Sequence, residues 1–360
     1  MKIFNLILLA LVNVWIAFAL PASTYEDSTF SYELSTSNKR AVITKVIDKK
    51  ATAVTIPPFV TVEGQKYFVT EVDKQFLGNT NVQILHVSSD FNIYPNIVLN
   101  FRNFAFLGAY NLRTINLKGN KITASAFNGL YGLSDNVLIY GDGTQYLIQD
   151  VCFKLLKSWK LPTLKDYTIL PVDDMKKDLF TLAKRVKENY EIDSNVMHDD
   201  NAAVVFALGR GSRIGIGRVY RNLALYMGVE YHRVQVIADK KSHYAWNFVS
   251  TPLNNGTWYF VDIYGNSKNL DCCVYNSDFF MHQNTFKWNI LEKVYKEKKL
   301  AIPSEDNDDW DNWDKEWVVY NDRIGCEGGV NQYVYPDVDN FSIWIKGKVT
   351  VPPKYIFFYV

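Results

Sequence analysis

The sequence predicts an α+β protein in two parts: a β-rich solenoid of short repeats, then a domain in which helices precede a run of strands. Three observations predict it. A Phe-x-Gly group recurs as Phe76-Leu-Gly78, Phe106-Leu-Gly108 and Phe127-Asn-Gly129, followed at fixed distances by Val82, Leu112 or Leu133 and then by Val87, Leu117 or Leu138. Ile216, Tyr220, Leu223, Ala224 and Met227 recur at helical spacing and give one buried stripe. Beyond Gly228, a helix stop, residues 229–237, 244–249 and 258–263 are rich in β-branched and aromatic side chains, and Asn255-Gly256 is a hairpin signal between the last two.

The chain has 360 residues, 48% of them hydrophobic, with a net charge of +1. That suits two modest domains with ample core and excludes nucleic acid as the main partner, because no basic field exists to hold a polyanion. Residues 1–19 carry Lys2 and then an apolar run closed by Ala17-Phe18-Ala19, which reads as a secretory signal peptide. No second long apolar run follows, so a mature chain without a stable membrane span is expected, secreted or held at the cell surface. Export suits the four cysteines, Cys152, Cys272, Cys273 and Cys326, and a disulfide from the adjacent pair to Cys326 is expected. Asn255 and Asn340 head glycosylation acceptor triplets.

Residues 30–145 are expected to stack as repeats, each too small to bury its own face, with Phe inside and Gly at a corner. The unequal spacing of Phe76, Phe106 and Phe127 implies an insertion around residues 90–100. Residues 30–46 read as a cap on the first repeat. With Ile56-Pro57 and Val72-Asp-Lys-Gln-Phe76, these units resemble the leucine-rich repeats of the BspA type. The resemblance implies adhesion or recognition by a secreted or surface protein.

Residues 146–170, with Pro162, read as a linker. Asp173 and Asp174 then start an amphipathic helix marked by Met175, Leu179, Leu182, Val186 and Tyr190. Ser212 stands where a helix N-cap belongs. The run VVFALGRGSRIG is no dinucleotide loop, because the third required glycine falls on Ile214. Residues 301–360 are expected to belong to the second domain, with Trp310, Trp313 and Trp317 at helical spacing and strands near the end. The acids Asp306, Asp308, Asp309 and Asp311 lack the bend glycine and closing glutamate of a calcium loop, so no metal and no cofactor is expected.

The block Gly211-Ser-Arg-Ile-Gly-Ile-Gly217, Tyr244-Ala-Trp-Asn247 and Trp258-Tyr-Phe-Val-Asp262 resembles the motifs of the transglutaminase-like family, which shares the papain-type architecture, and residues 171–300 are assigned to such a domain. The resemblance implies a thiolate at a helix N-terminus, an imidazole that activates it and a carboxylate that orients the imidazole. Here the thiol position holds Arg213 and the imidazole position Tyr244; of the three only Asp262 is kept. His243 is one residue away, but successive strand side chains point to opposite faces unless a bulge re-aims one. Ser212 lacks a base in reach. The expectation is a domain without the family's chemistry, with Arg213, Tyr244, Trp246, His243 and Ser212 lining the old cleft, and protein or surface glycan as ligand. The alternatives are an active acyl transferase or peptidase using Ser212 or a displaced nucleophile with His243, and a structural surface or matrix component. Arg213 is expected to turn inward to Asp262; its other course is outward, beside Arg210, Arg218 and Arg221, as a basic rim.

Overall fold

The computed structural model describes residues 23–118, 122–124, 127–141, 143–230, 233–239, 245–250, 258–261, 263 and 317–320. Two compact units divide the chain: Met1–Leu112 with Gly119–Gly132, and Arg113–Lys118 with Leu133–Val360.

The first unit opens on three antiparallel strands, β1 (Ser23–Glu26), β2 (Phe30–Ser35) and β3 (Arg40–Val46). Asp27 shapes the first turn: its carboxylate accepts from the Thr29 and Phe30 amides at 2.7 Å and from the Tyr32 hydroxyl at 2.8 Å. Burial and that carboxylate push the Tyr32 phenol well above its ordinary pKa. Pairing then becomes parallel. β3 pairs with β6 (Gln65–Val72), β6 with β8 (Leu99–Phe101), and β8 with β10 (Ile122–Ala124). β4 (Ala53–Ile56) and β7 (Ile84–Val87) form a second parallel pair, and β5 (Phe59–Val62) folds back on β6 as a hairpin. Such a ladder is a solenoid, in which each turn buries its apolar face on the next.

Repeat positions behave as predicted in the first two copies. Phe76 and Phe106 are buried with ring centroids 5.9 Å apart, and Val82, Leu112, Val87 and Leu117 are buried too. Glycine is required where turns touch: a Cβ on Gly108 would lie 3.3 Å from the Gly78 Cα, and one on Gly129 would lie 2.7 Å from the Phe101 carbonyl oxygen. The extra residues fall where the spacing placed them, since residues 88–98, with a short 3-10 turn at Ser89–Ile93, separate β7 from β8.

The third copy needs correction. In the second unit β11 (Leu138–Tyr140) pairs in parallel with β9 (Thr114–Leu117), and the register sets Leu138 against Thr114, not Leu117. Val137 and Ile139 are buried and Leu138 only half so, because side chains alternate along a strand and the Phe-x-Gly frame slipped by an odd number of residues.

The segment read as a linker is another correction. Thr144–Ser158 forms helix α1, with Leu147, Ile148, Val151, Cys152, Leu155 and Leu156 buried. Interspersed lysines and glutamines hid its stripe, but the apolar spacing is helical. Helix α2 (Val172–Asn189) buries Met175, Leu179, Leu182 and Val186 as expected, with Tyr190 just beyond it. Helix α3 (Ala202–Leu208) is capped by Asn201, whose side chain accepts from the Ala203 and Val204 amides, and ends on Gly209 at φ 72°. Helix α4 (Arg213–Met227) ends on Gly228 at φ 115°, in the left-handed region that glycine tolerates.

α4 packs against α1, α2, α3 and two strands, so it is buried on every side and not along one stripe. Those strands belong to an antiparallel sheet ordered β16 (Trp258–Val261), β15 (Ala245–Ser250), β14 (Val234–Asp239) and β17 (Trp317–Tyr320). β14 starts at Val234, later than the sequence suggested. Trp317, expected on a helix with Trp310 and Trp313, opens a strand paired to β14 (Asp239↔Trp317); its aromatic and β-branched neighbours favour that state. Residues 1–19, Cys272, Cys273, Cys326, Asn255, Asn340, Trp310, Trp313 and the acids at 306–311 lie outside the described residues.

Candidate functional site

The start of α4 is built from a tight set of local contacts. Arg210-Gly211 forms a two-residue strand, β13, paired in parallel with β12 (Glu191–Ile192). Ser212 follows as N-cap. Its Oγ accepts from the Gly215 amide at 3.2 Å and donates to the Asp199 carbonyl oxygen at 3.1 Å, while its own amide donates to that oxygen at 2.9 Å. The hydroxyl is therefore committed to the cap, and no described imidazole bonds to it. The glycines serve packing. A Cβ on Gly211 would lie 2.5 Å from the Asp199 carbonyl oxygen and from Val205 Cγ2, and one on Gly215 would penetrate the same carbonyl. The Gly-rich turn is where the chain at Asp199 presses on a helix start.

Helix and sheet meet through two further pairs. Ile214 and Ala245 form a buried contact, which sets the first turn of α4 beside the start of β15. Asn247 is fully buried and its Nδ2 donates to the Gly217 carbonyl oxygen at 3.0 Å. Gly217 permits this approach, since its Cβ would meet Val236 Cγ1 at 3.0 Å and Asn247 Oδ1 at 3.5 Å. β15 and β16 pair antiparallel with Asn247↔Val261 and Ser250↔Trp258.

Of the residues singled out in the sequence, Ser212 and Arg213 are both half-buried at this helix start. Tyr244, His243 and Asp262 lie outside the described residues, and so does the Trp246 side chain, although its backbone is in β15. The basic rim is overturned. Arg218 is buried with its Nη1 donating to the Asp200 carbonyl oxygen at 2.5 Å and its Oδ2 at 3.2 Å; Arg221 is buried with its Nε donating to the Val234 carbonyl oxygen at 3.0 Å. Arg210 bonds Asp135 Oδ1 at 2.5 Å. Arg218 and Arg221 face neighbouring segments and not solvent, because α4 is enclosed, whereas Arg210, on β13 outside the helix, is half-exposed and ion-paired. Cys152 is free and wholly buried, and burial pushes its thiol up, away from the thiolate form a nucleophile needs.

The first unit carries a different feature. At the repeat corners Gln75 and Phe104 both adopt positive φ, 57° and 62°, and the Gln75 amide donates to the Phe104 carbonyl oxygen at 2.9 Å. Phe104 is 39% exposed and meets the 57% exposed Tyr131 edge to face at 5.6 Å; Tyr110 is 72% exposed. A bulky side chain at positive φ is strained by roughly 1–2 kcal/mol, and here the ring is not used to fill the core. Beside it Arg102 is held by both Glu71 and Asp73, so the aromatic corner is flanked by an ion-paired cluster with one carboxylate in excess. Sequence reasoning missed this corner, because the structure sets Phe104 against Gln75, one residue off the Phe-x-Gly frame, in which Phe104 falls opposite Lys74.

No protein-family model and no curated protein matches the chain. Part of it is similar to solved bacterial leucine-rich repeat proteins. One, from Bacteroides capillosus, is 20% identical over 34% of this chain and 99% of that one, with a TM-score of 0.24. A leucine-rich cell surface protein from Faecalibacterium prausnitzii is 16% identical over 36% of this chain and 41% of that one, with a TM-score of 0.23. A leucine-rich repeat protein of T. pallidum is 15% identical over 35% of this chain and 69% of that one, with a TM-score of 0.18. Among the described residues no helix is long and apolar enough to cross a membrane.

Proposed function

We propose that this chain is a noncatalytic binding or adhesion protein, secreted or held at the cell surface, whose repeat unit recognises a protein or glycan and whose second unit is a transglutaminase-like domain without the family's chemistry. The observation that carries the reading is the Phe104–Tyr131 corner: two rings facing water, one on a strained backbone, with no return in core packing. The second unit supports the noncatalytic half. Ser212, the hydroxyl nearest the motif's thiol position, is used up as a cap, and the described Cys152 is sealed in the core. In this reading Arg213 takes the thiol's place and pairs with Asp262, the family carboxylate, while Tyr244 and Trp246 line the remaining cleft.

The test is binding of the labelled full chain to glycan and surface-protein arrays, compared with Phe104→Ala, Tyr131→Ala and the double variant. Loss of ~10-fold or more in the double variant, with unfolding still cooperative, is expected for two hot-spot aromatics. Unchanged binding would remove the site from this corner. Amine incorporation or peptide hydrolysis that disappears in Ser212→Ala or His243→Ala would overturn the noncatalytic reading.

A further inference from the structure

The second unit contains an open groove of about 850 Å³ that the motifs do not touch, formed by the last turns of α1 and the segment that follows it. Its apolar wall is Phe153, Leu161, Pro162 and Leu164. The wall is rigidly mounted. The Leu164 amide donates to the Tyr226 carbonyl oxygen at 3.0 Å and the Lys165 amide to that of Met227 at 2.8 Å, which ties residues 164–165 to the end of α4. Gly228 lets them lie there, since any Cβ would overlap the Lys165 backbone. Phe153 is braced by Tyr226, ring centroids 5.3 Å apart. Leu164 is held at φ 49° and 52% exposed, an apolar side chain presented outward from a fixed backbone.

The charged side chains on the lining of this wall are cationic. Among the described residues that line the groove, the charged ones are three lysines, Lys157, Lys160 and Lys165, and none is a carboxylate. Lys165 is already answered by Asp178 at 2.8 Å. Asp166, next in the chain, is occupied in capping the following turn, where its Oδ1 accepts from the Thr168 amide at 2.9 Å. Lys157 and Lys160 are exposed and make no ion pair among the described residues, although Lys157 also faces the negative end of α1. The surface is thus an apolar strip with two available cations on its edge.

We propose that this groove binds a short acidic peptide segment of a partner protein, with an apolar side chain seated between Phe153, Leu161 and Leu164 and carboxylates facing Lys157 and Lys160. Charge complementarity selects the anion, and the open form selects a peptide over an acyl chain, which needs enclosure on all sides to leave water. This inference is independent of the repeat-corner reading; it concerns another unit and another ligand.

The test is fluorescence anisotropy of the full chain with a labelled hexapeptide alternating aspartate and leucine. Saturable binding that weakens as salt rises is expected, with a loss of about tenfold in Lys157→Glu/Lys160→Glu, since reversing edge charges converts attraction to repulsion. Leu164→Ser should weaken the same peptide, and an asparagine-for-aspartate peptide should fail on the unaltered chain. Both lysines are exposed, so circular dichroism of the double variant should match the unaltered chain. Equal binding of the charge-reversed variant, equal binding of a lysine–leucine peptide, or binding only to vesicles of phosphatidylserine would each overturn the proposal.

Discussion

Replacing Asn247 by aspartate tests how the sheet is fastened to α4. The side chain is fully buried and its Nδ2 lies 3.0 Å from the Gly217 carbonyl oxygen. Aspartate keeps the shape but sets a carboxylate oxygen against that carbonyl. An ionised acid there is repelled and desolvated, so its folded pKa must rise. Protonation caps the cost: holding the acid neutral at pH 7 against an unfolded pKa of ~3.9 costs at most ~4 kcal/mol. The sign follows from the raised pKa. The penalty is absent below the unfolded value, grows by ~1.4 kcal/mol per pH unit above it, and levels off above the folded value. Urea unfolding of Asn247→Asp and Asn247→Leu between pH 4 and pH 8 measures it. The leucine variant removes the bond without adding a charge and should lose ~1 kcal/mol independently of pH. An aspartate penalty that does not change with pH would show that position 247 reaches water and that the helix is not clamped through it.

Two other outcomes are expected. Gly215→Ala should abolish cooperative folding or cost more than ~3 kcal/mol, because its Cβ would penetrate the Asp199 carbonyl and stand 2.7 Å from Val205 Cγ2; Gly64→Ala, with nothing within 4 Å of the Cβ but φ at 78°, should cost only ~1 kcal/mol in the same thermal melts. Alkylation kinetics check the assignment of the thiol and imidazole positions. Arg213→Cys with Tyr244→His should react faster than Arg213→Cys alone, and equal rates would sever Tyr244 from the helix start.

Periodicity made much of the fold legible. The buried set of α2, the caps at Ser212 and Gly228 and the first two repeat turns all follow from spacing and residue type. What escaped was register and enclosure. Phe127 and Leu138 were framed by letters alone, yet strand pairing is decided by which neighbours are buried, and Leu138 faces the other way from Val137 and Ile139. α1 escaped because Pro162 nearby suggested a linker, although that proline stands beyond the helix end. Arg218 and Arg221 looked like solvent-facing cations because nothing local shows that a helix will be covered on all sides. Their partners, Asp200 and the Val234 carbonyl, lie on other elements.

On the proposed transglutaminase-like reading, the motif block divides into letters that pack and letters that in the family would react. Gly211 and Gly215 admit the Asp199 carbonyl, Gly217 admits the Val236 and Asn247 side chains, and Asn247 ties β15 to α4; each glycine is held by a close contact that a larger side chain would break. The reactive positions are different in kind. Arg213 is half-buried at the first turn of a helix, a place that accepts a thiol, a hydroxyl or a guanidinium without moving the backbone, provided its charge is answered. Chemistry can therefore leave such a block while the glycines and Asn247 stay under packing constraint. On the proposed reading that is why the sequence resembles an enzyme most closely at the residues that would never have touched its substrate.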